Sequence, residues 1–365
     1  MKPRFSLYLD LVRFTAALAV FLGHLASYPL TNGVMPTWLL RGADPAVIVF
    51  FVLSGYVIAH VTGTTETTAR AYAAARTSRL YSVVPVALLL TFVFDRIGMS
   101  IEPDLYEVPR ILMKPESWAG YASSFFFVNE YQVFGLNGIA PGTNNPYWSL
   151  SFEATYYVVA GLLLFAPRRV GIPLALVVFL LAGRTIFALF PLWLLGFAIG
   201  RSTVGANLAR SLAAVVAIAS AGTLLASPVI VAHLPQDNFG WRFPWGRKPF
   251  DRNLIGDYVV ATAFALHLVA MRRLLDAPTG APRAPTATIR WLGSLTFPLY
   301  CIHFPALCLL TAWSPWSNDT WQHATLLVVG TTMLAAVLTF ATESLRRAMR
   351  RLMQPVQAKG TAAIG

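Results

Sequence analysis

The chain has 365 residues, of which 56% are hydrophobic and only 12% are charged. Soluble globular domains carry about 25% charged residues, so this composition excludes a soluble protein and predicts a membrane protein. The formal net charge is +12. Because no nucleic-acid-binding pattern accompanies it, we assign the excess to cytoplasmic loops, where Lys and Arg concentrate in membrane proteins, and expect no nucleic-acid partner.

Apolar segments long enough to cross a bilayer recur along the chain and predict an all-α, polytopic membrane protein with about ten transmembrane helices. The segment 117–134 is not counted, because it is aromatic and carries Glu130, which favours an interfacial or re-entrant position. With both termini cytoplasmic, this topology places twice as many basic residues inside as outside. Residues 1–352 are predicted to form the membrane domain, and 353–365 a disordered cytoplasmic tail. The predicted spans lie near residues 6–28, 44–62, 80–97, 147–166, 170–183, 184–201, 208–232, 254–271, 292–313 and 321–342.

The first predicted span contains three ionisable residues, Asp10, Arg13 and His24. Arg13 and His24 are eleven residues apart, which at about 100° per residue puts them on one helix face, about 16 Å apart along the axis. Asp10 is one turn before Arg13, at the spacing that permits an ion pair. Charges inside a span normally face a cavity or partner helices and indicate function. Two alternatives stay open: Arg13 can snorkel to the cytoplasmic head groups, and His24 can be a packing residue.

Polar residues recur in the second and fourth predicted spans. Ser54 stands before a glycine in FFVLSGY. This pattern suits close helix packing as well as it suits a polar site residue. WSLSFEATYY places Trp148, Ser149 and Glu153 near the outer end of the fourth span, where a carboxylate needs a partner. The predicted topology puts Glu153 at a depth similar to that of His24.

The ninth predicted span contains LGSLTFPLYCIH, in which Tyr300 and His303 share a helix face. The two cysteines of the chain, Cys301 and Cys308, lie on the same helix about 10 Å apart along its axis. That distance is too long for a disulfide, and two ligands are too few for zinc. We therefore assign both cysteines to packing and expect no metal site.

Arg76 and Arg79 stand one turn apart in ARTSRLY, at the cytoplasmic start of the third predicted span. Paired guanidinium groups suit phosphate recognition, although ordinary positive-inside anchoring explains most pairs of loop arginines. Together with the polar residues of the spans, they predict a site within the membrane. A histidine that can act as a base lies toward its outer end, and arginines that can bind phosphate lie at its cytoplasmic end. A long, thin ligand with a phosphate head could bridge the two ends.

From Leu7 to about Arg351, these motifs resemble the acyltransferase-3 family of integral-membrane O-acyltransferases. The most specific match is the first span, where the family carries an aspartate, an arginine and a histidine that correspond to Asp10, Arg13 and His24. FFVLSGY matches the family pattern Phe-x-Leu-Ser-Gly-Phe, with tyrosine in the last position. WSLSFEATYY matches Trp-Ser-Leu-x-x-Glu-x-x-Phe-Tyr, with tyrosine in place of the phenylalanine.

Three further motifs match with departures. Arg76 and Arg79 match the family's Arg-x-x-Arg, without the proline that usually follows. LGSLTFPLYCIH corresponds to the Gly-x-x-Ser-x-x-Tyr-x-x-His region, with the serine shifted. Glu343 and Arg346 resemble a Glu-x-Pro-x-Arg pattern that lacks its proline here.

The resemblance implies transfer of an acyl group, usually acetyl, from cytoplasmic acyl-CoA to a hydroxyl of a sugar or polysaccharide, with no tightly bound cofactor. It implies a multi-pass protein of the bacterial cytoplasmic (inner) membrane. The histidine would deprotonate the acceptor hydroxyl or relay the acyl group covalently. The expected site residues are, for catalysis, His24, Arg13, Asp10 and Glu153; for the CoA phosphates, Arg76 and Arg79; and for the acceptor, Trp148, Ser149, Ser54, Tyr300 and His303.

Two other functions are compatible with buried charges in a membrane bundle. A transporter or flippase would use them to line a pathway and would turn over no thioester. A transferase that uses a lipid-linked sugar would bind a diphosphate at its basic loops and release no CoA. The acceptor, the acyl chain and the oligomeric state stay open.

Overall fold

The computed structural model describes residues 2–108, 111, 118–136, 138–234, 253–276 and 286–353. Residues 235–252, between the seventh and eighth predicted spans, and the predicted tail after Met353 lie outside these residues. Within them all regular elements are helical, including three short 3-10 helices at Thr37–Gly42, Gln132–Phe134 and Asn145–Tyr147. The α-helices are α1 (Pro3–Leu25), α2 (Ala43–Thr62), α3 (Ala69–Tyr81), α4 (Val84–Ile101), α5 (Pro103–Glu107), α6 (Trp118–Phe125), α7 (Trp148–Phe165), α8 (Arg168–Ala182), α9 (Arg184–Arg201), α10 (Arg210–His233), α11 (Leu254–Leu274), α12 (Thr286–Trp313) and α13 (Trp321–Met353).

Nine helical segments among the described residues are long and apolar enough to cross a membrane, which confirms the all-α, polytopic architecture. The remaining predicted span, near 170–183, is α8. It has 15 residues and rises about 22 Å, less than the roughly 30 Å of a hydrocarbon core. Even so, α8 connects the two ends of the bundle. It starts beside the end of α7, and the backbone N–H of Arg184, just after it, donates to Gln132 in the segment between α4 and α7.

Both described ends of the chain lie at the same end of the bundle. Arg290, at the start of α12, donates to Ser6 and Asp10 of α1. Arg70, at the start of α3, donates to the carbonyl of Met353, the last described residue. Asp10 also lines one cavity together with residues of α3 and of the last turns of α13. This arrangement requires an even number of traverses, as the predicted topology has.

Helix α12 forms the centre of the bundle and is the most deeply buried span. It packs against α1, α4 and α13. Cys301 and Cys308 are buried in it as free thiols, as expected of packing residues. Because α12 is surrounded by protein, its polar side chains face other helices or a cavity rather than lipid.

The segment between α4 and α7 folds back into the bundle. Its helix α6 has eight residues, too few to cross a membrane, which agrees with the prediction for 117–134. Asn144 donates to Thr91 of α4 at 3.2 Å and to the carbonyl of Cys301 at 2.8 Å. Thr143 donates to the buried Asp95 through both its N–H and its hydroxyl. Since irregular backbone at membrane depth must be buried in protein, these bonds explain how the loop reaches the middle of the bundle and why α7 begins there.

Glycines allow α2 and α9 to pack with their backbones in contact. A Cβ atom added at Gly55 would overlap the carbonyl oxygen of Trp193, and one at Gly196 would overlap that of Val52. The alternative that the glycine after Ser54 serves helix packing is therefore confirmed.

We expect Gly55→Ala to lower the free energy of unfolding by about 1–3 kcal/mol, because the added methyl group must push α9 away from α2. Thermal unfolding of the purified protein in detergent measures this. The matched control is Gly222→Ala in α10, where an added Cβ meets no described atom within 4 Å; it should be neutral or slightly stabilising. Equal melting temperatures of Gly55→Ala and the unchanged protein would contradict the close contact between the backbones of α2 and α9.

Candidate active site

An interior cavity of about 330 Å³ lies between α1, α2, α3, α7, α12 and α13. It opens at the end of the bundle that holds the described chain ends, because Arg290 and Arg346 line it there with side chains about half exposed. Cations outnumber acids among the described residues that line it, so the cavity favours an anionic ligand. The charged lining residues are Arg13, Arg76, Arg79, Arg290 and Arg346, with Asp10, Glu153 and Glu343.

Asp10, Arg13 and His24 share one face of α1, as their spacing predicts, and Asp10 and His24 contact α12 there. Arg13 lines the cavity, so it does not snorkel to the head groups. The shortest ion pair of Asp10 is with Arg290, at 2.6 Å, whereas its distance to Arg13 is 3.4 Å. The ion pair that the spacing of Asp10 and Arg13 permits is therefore present, and Asp10 in addition ties the start of α12 to α1.

Arg76 and Arg79 lie one turn apart on α3, and both line the cavity. Arg76 donates to both carboxylate oxygens of Glu66, at 2.8 and 3.0 Å, and its guanidinium lies 5.3 Å from the centre of the Tyr157 ring. Arg79 lies over the Phe297 ring, and within the described part of the chain no carboxylate forms an ion pair with it. Arg79 is thus the better placed of the two to receive an anionic group.

Ser54 and Glu153 meet across α2 and α7. The Ser54 hydroxyl lies 3.5 Å from a Glu153 carboxylate oxygen, and the Tyr157 hydroxyl donates to the same oxygen. The Trp193 indole N–H donates to the Ser54 hydroxyl at 3.2 Å. The buried carboxylate therefore has the hydrogen-bond partners that its position in the membrane requires.

Ser149 and Tyr300 close the cavity at its deep end. The Tyr300 hydroxyl lies 2.6 Å from the Ser149 hydroxyl and donates to the carbonyl of Pro146 at 2.7 Å. The Phe50 ring packs edge-on against the Tyr300 ring, with their centres 6.2 Å apart. Beyond this wall the Tyr300 ring contacts the imidazole of His303, whose centre is 5.9 Å away.

His24 and His303 form a hydrogen-bonded pair beyond the wall. His303 Nδ1 lies 2.8 Å from the carbonyl oxygen of Tyr300, which can only accept, so Nδ1 carries the hydrogen in the neutral ring. His303 Nε2 then presents a lone pair 3.2 Å from His24 Nδ1, and the Val20 carbonyl oxygen lies 2.9 Å from the same nitrogen, so the single hydrogen on His24 Nδ1 is shared between two acceptors. This network assigns the basic lone pair of His24 to Nε2.

The structure brings eight of the eleven predicted site residues to the cavity. His24, His303 and Trp148 are absent from its described lining; Trp148 packs against Phe51 and Phe152.

The expectation that Glu153 and His24 lie at similar depths is wrong. Glu153 is one turn of α7 closer to the cavity mouth than Ser149, whereas the histidine pair is almost one turn of α12 beyond Tyr300. The two groups are therefore about 10 Å apart along the bundle. The cause is the loop before α7, which enters the bundle and lowers the start of that helix.

Three residues that contact the predicted site residues were not predicted from the sequence: Glu66, Trp193 and Arg290. Glu66 lies in a short polar loop, and nothing in its spacing marks it as the partner of Arg76. Arg290 could have been found, because the predicted topology puts the start of its span at the same membrane face as Asp10, a buried acid that needs a cation.

Comparison with known proteins identifies the family. The acyltransferase-3 family model, described as an acyltransferase domain, matches residues 6–340, nearly the whole chain. No curated protein and no solved structure matches the chain significantly. With nine helical segments long and apolar enough to span a membrane among the described residues, the chain belongs to the acyltransferase-3 family and is a multi-pass membrane acyltransferase.

Proposed function

We propose that the protein is an O-acyltransferase that moves an acetyl group from cytoplasmic acetyl-CoA to a hydroxyl of a sugar or polysaccharide. The observation that carries this proposal is the juxtaposition of an arginine-lined cavity with a histidine pair behind its inner wall. The first suits a polyanionic nucleotide donor, and the second suits removal of a hydroxyl proton.

The donor phosphates would bind at the mouth. Arg79 and Arg76 offer guanidinium forks for phosphate oxygens, and Arg290 and Arg346 extend the positive surface outward. The narrow pantetheine arm would then lie along the cavity, with its thioester toward Tyr300. Arg13 would stabilise the negative charge that develops on the thioester oxygen when it is attacked.

His24 would act as the general base. Its Nε2 takes the proton of the acceptor hydroxyl while the hydroxyl oxygen attacks the thioester carbonyl. The carbon–sulfur bond then breaks, the acyl ester forms, and the proton passes to the departing CoA thiolate. His303 would act as a positioning residue, since its Nε2 and the Val20 carbonyl together hold the hydrogen of His24 on Nδ1. Ser149, Tyr300, Ser54 and Glu153 would contact the acceptor from the cavity, and Trp148 would support that wall by packing against Phe51 and Phe152.

We also propose that both termini face the cytoplasm of a bacterial cell, which the twofold excess of basic residues on that side supports. Cysteine labelling in a background without Cys301 and Cys308 tests this. An impermeant maleimide should label Asp319→Cys in intact cells and Arg168→Cys only after permeabilisation. The reverse pattern would contradict the orientation.

The acceptor is tested by deleting the gene and comparing ester-linked acetyl groups on surface polysaccharide and secreted glycosides by mass spectrometry. We expect one glycan class to lose its acetyl esters and to regain them on complementation. Unchanged acetylation of all glycans would contradict the proposed acceptor class.

A further inference from the structure

A second, larger cavity lies between α9, α10 and α11, away from the arginine-lined one. Its volume is about 980 Å³, at the upper end of the range for ligand pockets. Among the described residues, none lines both cavities. Its walls are mainly apolar, with Phe187, Pro191 and Leu266 among the side chains that form them.

The length of this cavity matches one leaflet of a bilayer. Its lining on α11 runs from Leu254 to Leu266, which are separated by about 18 Å along the helix axis. Half of a roughly 30 Å hydrocarbon core is about 15 Å. Both Leu254 and Arg184 begin their helices at the end of the bundle opposite the chain ends, so the cavity extends inward from that membrane surface.

The cavity opens sideways to the bilayer rather than to water. Phe187, Tyr258 and Leu266 line it with 47%, 40% and 51% of their surfaces exposed. The helix that forms its third wall, α10, is the least buried of the spans. A hydrocarbon chain can therefore enter between α9 and α10 without crossing a polar surface.

One charged side chain lines the cavity within the described part of the protein: Arg184, at its head-group end. The other polar side chains of the lining are hydroxyls, including Tyr258, which donates to the Ala188 carbonyl and so joins α11 to α9. A guanidinium carries five N–H donors, so it can hold a protein partner and a phosphate oxygen at once. We propose that this cavity is a lipid site that binds an anionic phospholipid of the adjacent leaflet, with the acyl chains in the apolar cavity and the phosphate on Arg184.

Nanodiscs that contain phosphatidylglycerol and phosphatidylethanolamine in equal amounts test this proposal. Native mass spectrometry of protein released from them should show retained phosphatidylglycerol enriched over phosphatidylethanolamine, because the ammonium group of phosphatidylethanolamine offsets the phosphate charge that Arg184 attracts and is itself repelled by the guanidinium. Arg184→Gln should abolish the enrichment, and Arg184→Lys should keep part of it. Equal retention of both lipids by the unchanged protein would overturn the proposal, as would full enrichment in Arg184→Gln.

Because Arg184 is buried, its replacement can also affect folding. A second pair of variants leaves Arg184 in place and tests the cavity directly. Ala219 lines the cavity from α10, whereas Ala226 lies on the same helix outside the lining, and both are exposed. Ala219→Phe should displace the lipid, and Ala226→Phe should retain it as the unchanged protein does. Equal retention by the two variants would overturn the assignment of the lipid to this cavity.

Discussion

Replacing His24 with alanine is expected to reduce acyl transfer by roughly 10²–10⁴-fold, the usual contribution of a general base, while acyl-CoA still binds. Binding survives because the histidine pair lies beyond the Tyr300 wall and is absent from the described lining of the arginine cavity. The measurement compares CoA release with acyl-CoA affinity for the same folded preparation. A low rate with normal affinity is the expected combination.

His303, the hydrogen-bond partner of His24, gives a second test of the proposed general base. His303→Ala removes one of the two acceptors that face His24 Nδ1 and leaves the Val20 carbonyl, so it should lower the rate less than His24→Ala does, with donor affinity unchanged. His303→Gln, whose side-chain oxygen can accept the same hydrogen bond, should restore part of the rate. His267→Ala on α11, where the histidine bonds to Ser220 instead, is the matched control and should leave the rate near normal. Normal turnover by His24→Ala would remove His24 as the base.

Replacing both Arg76 and Arg79 with glutamine is expected to weaken acyl-CoA binding by roughly 10²–10⁴-fold. Each lost hydrogen bond to a charged group is worth about 1.5–3 kcal/mol, and two such contacts are removed. Titration of the purified protein with a non-hydrolysable acyl-CoA analogue measures the change. The paired control is Arg168→Gln with Arg169→Gln, since these exposed arginines lie outside the described cavity lining.

The two arginines should not contribute equally. Arg79→Gln alone should reduce affinity more than Arg76→Gln, because Arg76 is already held by Glu66. Arg76→Gln also leaves Glu66 buried without its cation, a loss that typically costs 3–5 kcal/mol of stability. The double variant Glu66→Gln with Arg76→Gln should fold better than Arg76→Gln. Unchanged acyl-CoA affinity in the Arg76 and Arg79 double variant would contradict phosphate binding and indicate that both residues only anchor the protein at the cytoplasmic membrane surface.

The sequence predicted the helices well, because apolar length is a direct signal of membrane span. It also predicted that Asp10, Arg13 and His24 share a face, since helical periodicity alone determines this. Spacing could not reveal that α12 is the helix which receives this face. The pairing of His303 with His24 follows only from the packing of α1 against α12, whereas the predicted topology already allows Arg290 as a partner of Asp10.

The depth of Glu153 was mispredicted for a specific physical reason. Hydropathy locates apolar segments but treats the polar residues before them as outside the membrane. Here Thr143 and Asn144 bond to Asp95, Thr91 and the Cys301 carbonyl, so a polar loop lies inside the bundle. Such compensation depends on long-range contacts that a single sequence does not encode in any local pattern.

The central claim, transfer from acyl-CoA held in the arginine cavity, is tested most directly by CoA release in proteoliposomes. Surface polysaccharide extracted from the deletion strain serves as the acceptor, and radiolabelled acetyl-CoA as the donor. We predict protein-dependent release of CoA in equal amount to label on the polysaccharide, and loss of both in the Arg76 and Arg79 double variant. Label that crosses the membrane with its thioester intact would contradict the account and indicate a transporter.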